Sequence, residues 1–376
     1  MDFLLSAEHD RIREKVSQLV ESFMAVSGSI DDFRFHQVLL KEFGRQGWSQ
    51  LFLPGQKREA GYLGAVLALE EVARVNVLSA LLLAAHLAMG CGAIAQAGTE
   101  AQKERYLVPG VAGDKLISFA LTEPGAGSDI DCIETSAAWQ DDTSVLTGAK
   151  SFVMGAGAAD TYIVAARSEG PQGAGISLFI VEKDMSGLET GRTVPVMGFQ
   201  SLNTGELFLN HCHMPKNSLL GQVGGGTGII SRVSDNFRVL LGAVAIGLAE
   251  ACVGSASRYA KERVQFGQPI HKFQAITFYL ADMAAEIEAA RVLVYGAASR
   301  KDGGLSYSKE AAMGKYYAAE VALKCAIKAV QVHGARGLTD DFPVEGYLRA
   351  AKILEIVGGT TEAQKVLISS HLSRAV

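Results

Sequence analysis

The sequence predicts an α+β fold in three consecutive parts: an N-terminal all-helical domain over residues 1–118, a small middle β-barrel domain over 119–224, and a C-terminal four-helix bundle over 225–376. Three observations lead there. Apolar residues recur at helical spacing through most of the first 118 positions. Between about 130 and 210 they gather instead in short runs broken by Gly and Asp. From about 224 the helical period returns and holds nearly to the end.

In the first part, Ile12, Val16, Leu19, Val20 and Phe23 fall at helical spacing in a segment that starts near Ser6 and Glu8. A second helix over 35–46 stops at Gly47, and Leu-Phe-Leu-Pro-Gly at 51–55 reads as a connector. The pattern restarts over 64–75, with Glu70 and Glu71 expected on its polar side. Residues 77–98 carry no formal charge and are long enough to cross a bilayer. His86 and Gln96 within the stretch, and its many Ala and Gly residues, favour a buried helix of a globular domain. Thr99-Glu-Ala-Gln102 opens a short helix as a variant of the capping box.

Where helical patterns give way to strands stands Phe119-Ala-Leu-Thr-Glu-Pro-Gly-Ala-Gly-Ser-Asp129. Pro124 fixes φ there, and Gly125 and Gly127 permit torsions closed to other residues. Such a run points successive amides one way. With the hydroxyls of Thr122 and Ser128 it makes a concave set of donors suited to an anionic or electron-rich edge. An ordinary surface turn has the same composition, so the stretch alone leaves both readings open. Beyond it, 145–153, 161–166, 176–182 and 206–210 read as short strands of one β domain. Residues 228–258, 270–301, 307–335 and 343–373 then read as four long helices, broken at Gly267-Gln-Pro269, Asp302-Gly-Gly304 and the stretch from Gly334 to Pro343.

Composition excludes several functions. The 376 residues carry a formal net charge of −5 with the signs mixed, and no basic stripe for nucleic acid. The five cysteines, Cys91, Cys132, Cys212, Cys252 and Cys325, lack Cys-x-x-Cys spacing and fit the reduced thiols of a cytoplasmic protein. His211 and His213 flank Cys212 at strand spacing without a second ligand pair, so no metal site is expected. The first ten residues lack the basic region of a signal peptide, and no membrane association is expected.

Leu-Thr-Glu-Pro-Gly-Ala-Gly-Ser-Asp resembles the flavin-binding signature of the acyl-CoA dehydrogenase family. In that family these backbone groups meet the N1/O2 edge of the flavin, and the serine lies at both cofactor and substrate. The resemblance implies that Phe119, Leu121, Thr122, Gly127 and Ser128 contact FAD, together with Phe152, Val153 and Met154 where the family has Trp-Ile-Thr. Arg263-Val-Gln-Phe-Gly-Gln-Pro269 and Gln274 resemble the family's Arg-x-x-Phe-Gly…Gln pattern, and a guanidinium fork suits a pyrophosphate. Gln331-Val-His-Gly-Ala335 resembles a segment lying along the dinucleotide, and Thr360-Thr-Glu362 one near its adenosine half. Arg263, Phe266, Gln274, Gln331, Val332, Gly334, Ala335, Thr360 and Glu362 are thus implied cofactor residues. Because the arginine and Gln-x-x-Gly segments come from a neighbouring subunit in the family, a homodimer or homotetramer is implied. Helical, β, bundle is also the family's order of domains, so the resemblance covers essentially the whole chain. Between Pro54 and Gly64, a Gly-rich loop usual in the family is shortened and altered.

The departures fall at the chemistry. Members of this family remove an α-proton with a carboxylate while the β-hydrogen leaves as hydride. The usual base belongs to a Tyr-Glu-Gly-Thr-like motif, which here is Ile356-Val-Gly-Gly-Thr360, with Gly358 in the glutamate's place. The family's second solution sets a glutamate before an arginine of the first bundle helix, where this chain has Phe237 before Arg238. Met154 replaces a threonine that would hydrogen-bond flavin N5, and Ala350 follows Arg349 where an aspartate is common. The catalytic base is therefore unassigned. Asp235 and Glu355 are the nearest carboxylates in sequence, and helix capping, packing or substrate-side hydrogen bonding explains them more simply than catalysis. Ser128, Asp235, Arg238 and Gly359 are the implied substrate residues.

The expected function is FAD-dependent oxidation of an acyl thioester, on acyl-CoA or an acyl carrier protein, with a non-standard base and an undetermined electron acceptor. The tail Ala351-Lys-Ile-Leu-Glu-Ile and the compact length look closest to members acting on carrier-bound acyl groups in polyketide or peptide biosynthesis. Three explanations of the glycine stay open: a substituted variant of a dehydrogenase that has lost its base, a degenerate member that binds FAD without turnover, and altered chemistry, on a substrate with its own acidic or activating group or by a reaction of reduced flavin.

Overall fold

The computed structural model describes residues 5–26, 32–53, 59–140, 143–170 and 173–373. Helices α1 (Ala7–Val26), α2 (Phe33–Arg45), α3 (Gly61–Val75), α4 (Val77–Ala84), α5 (Gly92–Ala97), α6 (Glu100–Gln102) and α7 (Val108–Val111) come first. Strands β1 (Ile117–Ala120), β2 (Ser136–Gln140), β3 (Thr143–Val153), β4 (Thr161–Gly170), β5 (Gly173–Glu182), β6 (Leu188–Thr193), β7 (Gly205–Pro215) and β8 (Leu219–Leu220) follow. The rest is helix α8 (Gly226–Glu262), the hairpin β9 (Val264–Gln265) and β10 (Gln268–Pro269), then α9 (Gln274–Asp302), α10 (Ser308–His333), α11 (Val344–Leu354) and α12 (Thr361–Ser373). This is the expected succession of helical, β and helical parts. Of the altered loop between Pro54 and Gly64, positions 54–58 lie outside the described residues, and from Gly61 the chain already belongs to α3.

By packing, the chain falls into two compact units that cut across the three-part division read from the sequence: residues 1–26, 59–81 and 238–376, and residues 27–58 and 82–237. In the first unit α1 buries Ile12, Val16 and Val20, and α3 is buried nearly all round. That burial corrects the expectation for Glu70 and Glu71, which are 2% and 7% exposed rather than on a polar face. Their charges are met by Arg74 within the same helix and by cations from distant sequence. Glu70 accepts from Arg291 at 2.9 Å and from the Tyr295 hydroxyl at 2.8 Å, while Glu71 accepts from Arg13 and Arg74, each at 3.0 Å. A buried carboxylate persists only with such partners. Gly247 lets α8 cross α3 closely, since a Cβ there would sit 2.3 Å from the carbonyl oxygen of Glu70.

The fourth helix expected over 343–373 is two helices. Gly358 and Gly359 take φ of +67° and +93°, a left-handed conformation that ends one right-handed helix and turns the chain into the next. The other three bundle helices lie where helical spacing places them.

In the second unit, Asp32 caps α2, its side chain accepting from the Arg34 amide, and Thr99 with Gln102 completes the expected capping box. The charge-free stretch starts in the first unit and passes into the second at Leu82; it forms α4 and α5 with a π-helical segment Ala85–Cys91 between them, and 83% of its apolar window is buried, as expected of a core helix. The strands make one eight-stranded sheet in the order β6-β7-β3-β2-β4-β5-β8, with β1 added on β4. Both β1 and β2 run parallel to β4, one after the other along it: Ala120 pairs with Val164 and Ser136 with Arg167. While β4 advances only from Val164 to Arg167, the chain opposite must spend residues 121–135. The Pro/Gly stretch is therefore an excursion forced out of a sheet, and its position is fixed by the register on either side.

Candidate active site

The excursion is closed on itself first. Glu123 and Ala126 exchange backbone hydrogen bonds of 2.9 and 3.2 Å around Pro124 and Gly125. The Glu123 carboxylate then turns inward, accepting from the amides of Glu134 and Thr135 and from the ammonium of Lys150 on β3 at 2.5 Å. Lys150 also donates to the Leu121 carbonyl at 3.2 Å, and the Ser151 amide donates to the Thr122 carbonyl at 2.9 Å. Lys150 is fully buried, with 0% of its side chain exposed. Burial alone would raise the Glu123 carboxyl, but the bonds from Lys150 and Thr135 outweigh it and hold the group below its ordinary range. In the sequence, Lys150 shows only as a lone cation within an apolar strand run, and its partner Glu123 only as one letter of the signature.

What remains outward is a donor surface. Among the described residues the amides of Thr122, Gly127 and Ser128 have no backbone partner. Thr122 is half-buried and Ser128 exposed. Two residues beyond Lys150, β3 bulges against β7 between Lys150 and Val153, and Phe152 takes φ of +54° with 61% of its surface exposed. A strained, outward aromatic at a bulge marks a position held for something to pack on it. Val153 is buried, and the Met154 carbonyl accepts from the Ser118 hydroxyl at 2.6 Å. The structure thus brings Phe119, Leu121, Thr122, Gly127, Ser128, Phe152, Val153 and Met154 into one unit, on β1, the excursion and the end of β3. Three unpartnered amides, two hydroxyls and an exposed ring fit the electron-rich edge and flat face of an isoalloxazine.

The other expected residues lie in the first unit. Arg263 precedes the β9–β10 hairpin, whose tip residues Phe266 and Gly267 have φ of +52° and +78°. Phe266 is 94% exposed and its ring lies 6.1 Å, edge-on, from Phe273 at the start of α9, where Gln274 stands. At the end of α10, Val332 is buried while Gln331, Gly334 and Ala335 are exposed. Gly334 has φ of +61° with open space where a Cβ would be. Thr360 caps α12 by accepting from the Ala363 amide at 3.2 Å, beside exposed Glu362.

The turn between α11 and α12 carries no carboxylate at its centre. It is braced from beneath by two donors. Lys315 of α10, 1% exposed, donates to the carbonyls of Gly359 and Glu355, and Gln364 donates to those of Gly359 and Gly358. Sequence reading misses Lys315, whose only signal is a cation within the Ala-rich, otherwise buried face of α10. Glu355 is engaged by Lys352 at 2.6 Å, which supports its packing role. Asp235 is 9% exposed and belongs to the second unit, whereas Arg238 and Gly359 belong to the first.

Comparison with known proteins agrees along the whole length. The family models of the N-terminal, middle and C-terminal domains of acyl-CoA dehydrogenase match residues 6–114, 118–212 and 224–373. The chain is 38% identical to the short-chain specific acyl-CoA dehydrogenase of Clostridium acetobutylicum, over 100% of both chains. Its fold is similar to that of butyryl-CoA dehydrogenase from Megasphaera elsdenii, with a TM-score of 0.91 and 37% identity over 99% of this chain and 100% of the other. It is also similar to a prolyl acyl carrier protein oxidase, with a TM-score of 0.89 and 28% identity over 98% and 99% of the two chains. Acyl-CoA dehydrogenases bind FAD, and the donor loop and bulge of the second unit have the chemistry to meet a flavin. The matches to all three domains and the succession of helical, β and helical parts make this chain a member of the acyl-CoA dehydrogenase family of oxidoreductases.

Proposed function

We propose that this protein oxidises an acyl thioester with FAD and without a carboxylate base at position 358. One observation carries the reading: the turn that would present the base keeps a defined, doubly braced conformation, yet its centre is Gly358-Gly359. FAD, when bound, supplies a two-electron acceptor for hydride. The amides of Thr122, Gly127 and Ser128 and the Phe152 ring would hold its flavin, and Arg263 with Gln331 from a neighbouring copy in a homo-oligomer would hold its diphosphate. Ser128, Asp235, Arg238 and Gly359 bind the thioester.

A positioned general base contributes typically about 10²–10⁴-fold. Without one, a substrate must bring its own acidic C–H or an activating group beside the reacting carbon. The thioester is carried on CoA or on an acyl carrier protein, and the similarity to a prolyl carrier-protein oxidase supports the second. All five cysteines are free thiols, in keeping with a cytoplasmic setting. A second reading, FAD binding without turnover, is favoured by Met154 alone, whose thioether cannot donate a hydrogen bond.

The experiment is anaerobic mixing of the yellow protein with thioesters of saturated, α-substituted and β-oxygenated acyl groups on CoA and on carrier protein. Bleaching by an activated thioester, with unactivated chains far slower, supports the proposal. No bleaching by any of them favours binding without turnover. Fast bleaching by simple saturated acyl-CoA overturns the altered-base reading.

A further inference from the structure

We propose that Glu123 and Lys150 are positioning residues for the flavin, a buried pair that holds the donor loop 121–128 and the Phe152 bulge in one fixed relation. The proposal rests on the reading of that loop as the flavin site, and goes beyond it by assigning two residues that face away from any ligand. The excursion leaves the sheet after Ala120 and re-enters it at Ser136, so nothing in the ladder itself fixes the path between. Arg167 of β4 ties down the return leg through the carbonyls of Ile133 and Thr135, and Glu123 supplies the constraint that joins that leg to the loop's exit. Its carboxylate gathers the amides of Glu134 and Thr135 at the re-entry and the Lys150 ammonium on β3. Lys150 completes the tie with its bond to the Leu121 carbonyl at the exit.

The same lysine stands two residues before Phe152. The β3–β7 register slips immediately after it, and the Ser151 amide donates to Thr122 of the loop. One ammonium thus anchors the exit of the loop, its turn and the base of the bulge. Glu123 and Lys150 are 5% and 0% exposed at their side chains, so the pair is shielded from solvent competition. Thr135 is further confined by Gly148, where a Cβ would lie 2.4 Å from the threonine hydroxyl. A loop held this way presents the Thr122, Gly127 and Ser128 amides without reorganisation when the flavin binds.

The test uses the FAD-loaded protein and three readouts: FAD release after dilution, followed by its fluorescence, the visible absorption band, and the flavin reduction potential. Removing one partner strands a buried charge, so the informative variant is the double Glu123→Gln, Lys150→Met. Where that variant does not fold, Glu123→Asp replaces it, which keeps both charges and shortens the carboxylate's reach toward the Glu134 and Thr135 amides. Circular dichroism reports the fold. The expected result is FAD release faster by roughly tenfold or more, the scale of losing charge-assisted contacts, with a displaced band and potential, and substantial recovery in Lys150→Arg. A folded variant with release within about twofold of the parent and an unchanged band and potential overturns the proposal. Gly127→Pro separates the two levels of argument, because it deletes one amide at a position with open space for a side chain. If it speeds release while the Glu123 and Lys150 variants do not, the loop reading stands and the pair is merely structural. If it too changes nothing, the loop reading itself fails.

Discussion

The ammonium of Lys315 donates to the carbonyl of Gly359 at 2.7 Å, from the buried side of α10 to the turn that ends α11. Burial, with Arg238 adding repulsion, pulls this lysine from 10.5 to about 7. Lys301, half-buried with its ammonium 3.1 Å from the centre of the Tyr62 ring, is pulled to about 7 as well by desolvation.

Both shifts have the same sign for stability. Above about 7 the folded chain releases protons that the unfolded chain keeps up to the ordinary lysine range, so stability rises with pH across that window. Thermal melting of the FAD-loaded protein should climb between about pH 7 and pH 9. Lys315→Met should flatten part of the climb. A melting temperature that falls steadily over the same range would show that neither lysine is held near neutrality.

The architecture is legible in the sequence because it rests on local patterns. Helical period marks α8, α9 and α10, and the runs around Val145, Thr161, Ile176 and Glu206 mark four strands. The short strands β1, β2 and β6 leave no such mark. Ile117 to Ala120 is too brief to show a period, and β6 is mostly exposed and polar. Long-range charge pairing is the hidden part. Glu70 reads as a surface acid until Arg291 and Tyr295 arrive from α9, and Glu123 is only one letter of the signature until Lys150 is seen beside it. The site signature is legible as a motif, but its cause, a loop extruded between two strands that share one edge of β4, needs the register.

Arg263 is expected to hold the FAD diphosphate, and Arg263→Ala should weaken retention. Loss of a charge-assisted contact is worth about 1.5–3 kcal/mol, or roughly tenfold to over a hundredfold in affinity. Equilibrium dialysis against free FAD measures it directly. Unchanged affinity removes Arg263 from the site.

Phe266 is too exposed, at 94%, and too costly in its left-handed backbone to be a simple surface residue. It is expected to pack against a second copy. Light scattering should find a dimer or tetramer, and Phe266→Asp should shift it toward monomer and loosen FAD together. A parent protein that is monomeric yet retains FAD tightly rules out the shared site.

The last prediction concerns Gly358. Gly358→Glu should create α,β-dehydrogenation of saturated acyl-CoA, on the proposal that Ile356-Val-Gly-Gly-Thr360 stands in the place of the family's base-bearing turn. The backbone sets the cost. Gly358 has φ of +67°, so the new side chain carries strain of about 1–2 kcal/mol. The neighbouring Gly359 is a poorer choice, since a Cβ there would lie 2.6 Å from the Gln364 amide nitrogen. Lys315 and Gln364 hold the carbonyls on the far side of the turn and oppose its collapse around the added carboxylate. A supplied base gains about 10²–10⁴-fold, and Met154, lacking a hydrogen to donate, keeps the gain toward the lower end. Anaerobic stopped flow on the folded, FAD-loaded variant decides the matter: flavin reduction no faster than in the parent, across acyl chain lengths, means that the missing carboxylate is not what limits this protein.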